Sequence, residues 1–184
     1  MNQARIIELV KALLYQIEGP ELRKDLEKTP DRVFRTLGEV LDGYDYDIES
    51  LFKISEDEGH DQIVAVRDIS TYSICQHHLT PFHCLVHVAY LPVDRVIGVS
   101  KIERLVHAYS HRLQLQERIT RQIADAMMTY LKPHGVAVII QGEHLCMRMR
   151  GVKGSSTVMT SVMLGTFRDN QSTRLEVLSL LGLR

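Results

Sequence analysis

Between Cys75 and Cys84 the chain reads CQHHLTPFHC, which sets two thiols and three imidazoles within ten positions. Side chains of these types can hold a metal, exchange protons near neutral pH, or simply fill space. The spacing Cys75-x-x-His78 lets two ligands of one turn face the same ion, as zinc requires. Alone it is half a site. A structural zinc wants four protein ligands and a catalytic zinc wants three with an open position, so a partner must come from elsewhere in the chain.

A second cluster supplies one. From Glu143 to Arg150 the apolar Leu145, Met147 and Met149 alternate with His144, Cys146, Arg148 and Arg150. That alternation predicts a strand with the latter four on one face. Cys146 then completes a Cys2His set with Cys75 and His78, while His77 and His144 are left for proton transfer. Taken alone, the octapeptide reads as an ordinary half-buried strand with one polar face. Its coincidence with Cys75-x-x-His78 reverses that preference.

A third cluster is Gly98-Val99-Ser100-Lys101-Ile102-Glu103-Arg104. Ser100 and Glu103 have capping-box spacing, and Lys101 and Arg104 add positive charge where free backbone N–H groups favour a phosphate. A capped helix with a solvated basic edge is the plain alternative, and Glu103 works against an anion there. The three clusters together point to metal-assisted hydrolysis of a phosphorylated compound, without naming it. His60, His107, His111 and His134 read as surface or packing residues, and Met127-Met128 as core.

These residues need elements to hold them. Ile6, Ile7, Val10, Leu13, Leu14 and Ile17 recur at helical spacing, closed by Gly19-Pro20. Thr29-Pro30 predicts an N-cap and first-turn proline for a second helix ending near Gly43, with a short helical turn between Glu21 and Lys28. After the acidic, loop-like stretch from Glu56 to Asp61, β-branched residues become frequent. A boundary near residue 61 therefore separates an N-terminal helical region, 1–60, from a main domain, 61–184. Strands are expected over Ile63–Cys75, His83–Leu91, Val136–Arg150 and Thr157–Phe167. Helices are expected over Lys101–Arg112 and Gln114–Leu131, with a last one after Asp169-Asn170. The class is α+β with an antiparallel sheet.

Composition narrows the partners. The 184 residues are 45% hydrophobic, and 22 basic against 23 acidic side chains leave a net charge of −1. That balance offers no global field for nucleic acid or an anionic membrane. No apolar run reaches the length of a membrane span, and the cytoplasm is the expected compartment. In a reducing compartment Cys75, Cys84 and Cys146 are better read as thiols or ligands than as disulfide partners.

An ordered series of segments resembles the GTP cyclohydrolase I family: TPDRV at 29–33, CQHHLTPF at 75–82, VIGVSKIERLV at 96–106, RLQLQERIT at 112–120, EHLCMRMRGV at 143–152 and TSVMLGTFRDNQSTR at 160–174. The resemblance implies the tunnelling fold, a four-stranded antiparallel sheet with two long antiparallel helices after an N-terminal helical region. It also implies a homodecamer of two stacked pentamers with active sites between subunits. By the same resemblance Cys75, His78 and Cys146 hold zinc, and His77 and His144 are the acid–base residues. Gln116 and Glu117 recognise guanine, and Ser100, Lys101, Arg104 and Arg150 hold the triphosphate, joined by Arg32 of an adjoining subunit. The implied reaction converts GTP to 7,8-dihydroneopterin triphosphate with release of formate and needs no redox cofactor.

The chain departs from that family in two places. Gln76 stands where the usual motif has glutamate, and Cys84-Leu85 align with a frequent Gly-Lys pair. Gln76 is the sequence support for an alternative, a zinc- and nucleotide-binding paralogue without turnover. A deazaguanine nitrile reductase of the same fold is a further alternative, but it needs a differently placed nucleophile.

Overall fold

The computed structural model describes residues 1–53, 55–56 and 59–183, with 55 and 56 described by backbone alone. Asp57 and Glu58 of the expected acidic loop lie outside the described residues. The chain forms two compact units, Met1–Asp42 and Gly43–Arg184.

The first unit is a pair of packed helices. In α1, Gln3–Glu18, the Asn2 side chain accepts from Arg5 N, and Gly19 ends the helix at φ 97°. A short 3-10 turn, Lys24–Leu26, leads to α2, Thr29–Val40. Pro30 sits in the first turn as expected, but Thr29 is already helical and Lys28 occupies the N-cap without a side-chain bond. A proline fixed near helical φ starts this helix without needing a hydroxyl cap.

The second unit is built on a sheet. A two-stranded pair joins β1, Ser55–Glu56, to β4, Val96–Ile97. The main sheet has the order β5-β2-β3-β6-β7, with β2 Val64–Cys75, β3 Pro81–Leu91, β5 Leu113–Gln114, β6 Gly135–His144 and β7 Val158–Gly165. The four long strands are antiparallel neighbours, and short β5 runs parallel to the end of β2. Between β3 and β6 come α3, Val99–Ser110, and α4, Gln116–Ala126, whose course continues as a π-helical turn, Met127–Leu131. After β6 a short α5 covers Leu145–Arg148, and after β7 come α6, Thr166–Asp169, and α7, Gln171–Leu180. Asn170 caps α7 by accepting from Ser172 N and Thr173 N, a cap worth about 1 kcal/mol.

Period-two alternation explains the two cores. Val86, Val88 and Tyr90 of β3 and Val136, Val138 and Ile140 of β6 are buried with Ile102, Leu105, Ile119 and Ile123 of α3 and α4. Ala89, Ala137 and Ile139, one step out of phase, pack with Phe167, Val177 and Leu181. Leu51 and Phe52 belong to the first of these cores, so residues before the compositional change near 61 pack with the sheet. The α+β class and the four-stranded antiparallel sheet with two intervening helices are as expected, with β5 an added short strand. No described helix is long and apolar enough to cross a membrane.

One expected element is wrong in kind. The strand predicted through Arg150 stops at His144, and Leu145–Arg148 is helical. His144, Cys146, Arg148 and Arg150 therefore do not share a strand face. The alternation was real, but four residues of it are too few to distinguish a strand from one helical turn.

Candidate metal and proton-transfer site

Three elements end at one place. Cys75 closes β2, and the turn after it is tied by backbone bonds from Cys75 N to Thr80 O at 2.9 Å and from Leu79 N to Cys75 O at 2.9 Å. Gln76 N donates to Gln114 O of β5 at 3.1 Å. Leu79 takes the left-handed conformation, φ 53°, to let the chain return as β3. The third element is α5, whose helical turn presents Cys146.

The turn and α5 bring Cys75, His78 and Cys146 together with ligand atoms all within 4.8 Å of one another. Cys75 Sγ lies 3.6 Å from His78 Nδ1. Cys75 is buried, Cys146 half-buried and His78 exposed, so the cluster is closed on the protein side and open on the other. Burial pushes the Cys146 thiol up, and the Cys75 thiol beside it pushes the same way. A divalent cation reverses both effects because it binds thiolates, and the two-thiol, one-imidazole donor set suits zinc with an open position. Cys84 takes no part: it is buried in β3, and burial raises its thiol to about 12.

Beside the cluster stands His144, the last residue of β6, opposite Phe82 in the β3–β6 register. The two rings stack, with centroids 4.4 Å apart and planes 7° apart. Burial pushes the His144 imidazole below its ordinary value, while the Glu117 carboxylate pulls it back up. His144 Nε2 lies 2.9 Å from Gln116 Oε1. The Gln116 amide nitrogen is engaged with Ile140 O at 3.0 Å, Val158 O at 2.9 Å and Thr160 Oγ1 at 3.2 Å. His77, by contrast, is exposed, with its ring edge-on to His78 at 6.1 Å.

Other expected site residues are dispersed. Glu117 is exposed in the first turn of α4, and Arg150 is exposed just beyond α5. Ser100, Lys101 and Arg104 lie in the opening turns of α3, but Gly98 holds the N-cap position and makes no side-chain bond, so the capping box is not formed. Ser100 lies inside the helix and cannot cap it. Ser100 and Lys101 line a cavity of about 410 Å³ with Val64, Tyr90 and Ile97, and none of the three ligands borders it. Arg32 is exposed on α2 in the first unit. Phe82, Thr120, Gly142 and Thr160 were not legible as site residues, because stacking and bonds to main-chain oxygens leave no motif. Arg118 was also missed: its Nη1 donates to Gln76 Oε1 at 2.8 Å.

Fold and site together define an α+β protein with an antiparallel sheet, whose sheet end carries a zinc-suited Cys75–His78–Cys146 cluster beside a half-buried imidazole. Comparison with known sequences gives the family. A sequence model of GTP cyclohydrolase I matches residues 6–182. The chain is 48% identical over 183 residues to GTP cyclohydrolase 1 of a Synechococcus species, covering 98% of this chain and 80% of that one. It is 46% identical over 185 residues to the Caldanaerobacter subterraneus protein of the same name, covering 99% and 98%. The Mycobacterium tuberculosis protein of that name is 47% identical, covering 98% and 91%. The chain belongs to the GTP cyclohydrolase I family. Among solved structures it is similar to an archaeosine synthase QueF-like protein, with TM-score 0.48 and 18% identity, covering 56% of this chain and 93% of that one.

Proposed function

We propose that this protein is an active, zinc-dependent GTP cyclohydrolase I that converts GTP to 7,8-dihydroneopterin triphosphate and releases formate. The observation that carries the reading is the convergence of Cys75, His78 and Cys146 within 4.8 Å, with family membership over nearly the whole chain. Zinc held by these three side chains supplies Lewis-acid activation of water near neutral pH. The chain's own residues do the rest. Glu117, exposed at the start of α4, offers a carboxylate to the two-donor N1–N2 edge of guanine. Ser100, Lys101, Arg104 and Arg150 hold the triphosphate, with Arg32 from an adjoining subunit. Opening the imidazole ring of GTP requires protons to be delivered to and taken from ring atoms, and His144 and His77 are the groups that move them.

The resemblance to the family supports a homodecamer of two stacked pentamers, with the site completed between subunits. The expected location is the cytoplasm. The decisive experiment incubates metal-quantified protein with GTP and identifies products. Formate and a pterin that fluoresces after oxidation are expected, and Glu117→Ala should weaken GTP binding while zinc is retained. Zinc-replete protein that binds GTP without ever releasing formate would instead identify the non-catalytic paralogue.

A further inference from the structure

We propose that the Gln116 side chain is a positioning residue for His144: its amide oxygen accepts from His144 Nε2 and so fixes the orientation and tautomer of the ring. The inference rests on the proposed role of His144 in the cyclohydrolase reaction and reassigns Gln116 away from guanine.

The basis is a hydrogen-bond circuit whose polarity can be followed atom by atom. Thr120 Oγ1 donates its single proton to the main-chain carbonyl of Gln116 at 2.8 Å. It therefore accepts in its 2.7 Å contact with Thr160 Oγ1. The Thr160 proton is thereby committed, so Thr160 Oγ1 accepts from the Gln116 amide nitrogen at 3.2 Å. The two protons of that nitrogen are shared among this hydroxyl and the carbonyls of Ile140 and Val158, at 3.0 and 2.9 Å. Three acceptors surround that end of the amide, which excludes the flipped orientation. Oε1 must then face His144, and an amide oxygen only accepts, so His144 Nε2 donates across the 2.9 Å contact.

The surroundings are built for this arrangement. Gln116 is 1% exposed and Thr120 is fully buried, which keeps the amide from reaching out to a guanine edge. A Cβ on Gly142 would lie 2.1 Å from Gln116 Oε1 and 3.3 Å from His144 Nε2, so glycine leaves the space through which the two meet. Phe82 fixes the ring plane from one side.

The test is a double-mutant cycle with zinc-loaded Gln116→Met, His144→Ala and the double variant, read by single-turnover formate release and by GTP dissociation constant. Gln116→Met should lower turnover by about ten- to hundredfold, the usual cost of losing an outer hydrogen-bond partner, with GTP affinity and zinc content held within about twofold. Added to His144→Ala, it should cost less than about twofold, because its partner is already gone. Weakened GTP binding with turnover kept would make Gln116 a guanine reader and overturn the proposal. Equal losses in both backgrounds would make it a merely structural residue and overturn the proposal as well. If Gln116→Met does not fold, Thr160→Val removes one anchor of the amide and should lower turnover in the same direction only where His144 is present. A wild-type protein that releases no formate would overturn the proposed function, and this inference with it.

Discussion

The two imidazoles assigned to proton transfer stand on regions built in opposite ways. His144 ends a central strand, stacks on Phe82 and meets an amide anchored from three directions. His77 sits exposed in the turn after β2, where order comes from the backbone bonds of Cys75, Gln76 and Leu79. Leu79 holds a left-handed conformation there, at a cost of about 1–2 kcal/mol. Backbone bonds pin the turn where Cys75 and His78 leave it, while the exposed side chain of His77 has room to adapt to the proposed substrate. Side-chain packing thus fixes geometry on the strand side, and exposure leaves adaptability on the turn side.

The ligand cluster joins the two regions, so breaking it should have the largest effect. Cys146→Ser replaces a thiolate with a hydroxyl of similar size that binds zinc poorly. It should lose bound zinc, measured by elemental analysis, and lose turnover by more than about a hundredfold, beyond what outer-shell losses cause. Full zinc occupancy in this variant would remove Cys146 from the ligand set.

The two histidines test the comparison directly. His144→Ala should lower turnover by about 10²–10⁴, the range for a positioned acid or base, whereas His77→Ala should cost about tenfold. Stability should separate them as well. His144→Ala loses a ring stack worth about 0.5–1.5 kcal/mol and leaves Gln116 Oε1 without its donor, at about 1–3 kcal/mol. Its thermal midpoint should fall by several degrees, while that of His77→Ala stays near wild type. A greater thermal loss for His77→Ala would reverse the assignment of rigid and adaptable sides.

The turn side was legible in the sequence because its chemistry is local: Cys75-x-x-His78 fits within four residues. The long strands were legible through β-branched runs and alternation, and the final helix through Asn170. Two things were not. The pattern from Leu145 to Arg148 alternates like a strand, but packing turns it into a helix, and Cys146 reaches the cluster by that turn instead of by a pleat. The support of His144 was also hidden, because Gln116 is held by the carbonyls of Ile140 and Val158, groups that every residue possesses. Ser100 shows the reverse error, since a capping-box pattern was present and Gly98 took the cap position.

Gln76 gives the smallest expected effect and the finest division between the two regions. Where the family commonly has a carboxylate, the amide oxygen of Gln76 accepts from Arg118 at 2.8 Å on an exposed part of the turn side. Restoring the acid with Gln76→Glu adds charge to a contact that already exists. An exposed ion pair of this kind is worth about 0–1 kcal/mol, so turnover should change by less than about fivefold and zinc content not at all. Any gain should shrink as salt is raised, because solvent-exposed charges are screened. A gain of about tenfold or more that persists in high salt would mean that the carboxylate acts on the buried side, through the metal or His144, and that the two regions are not separate.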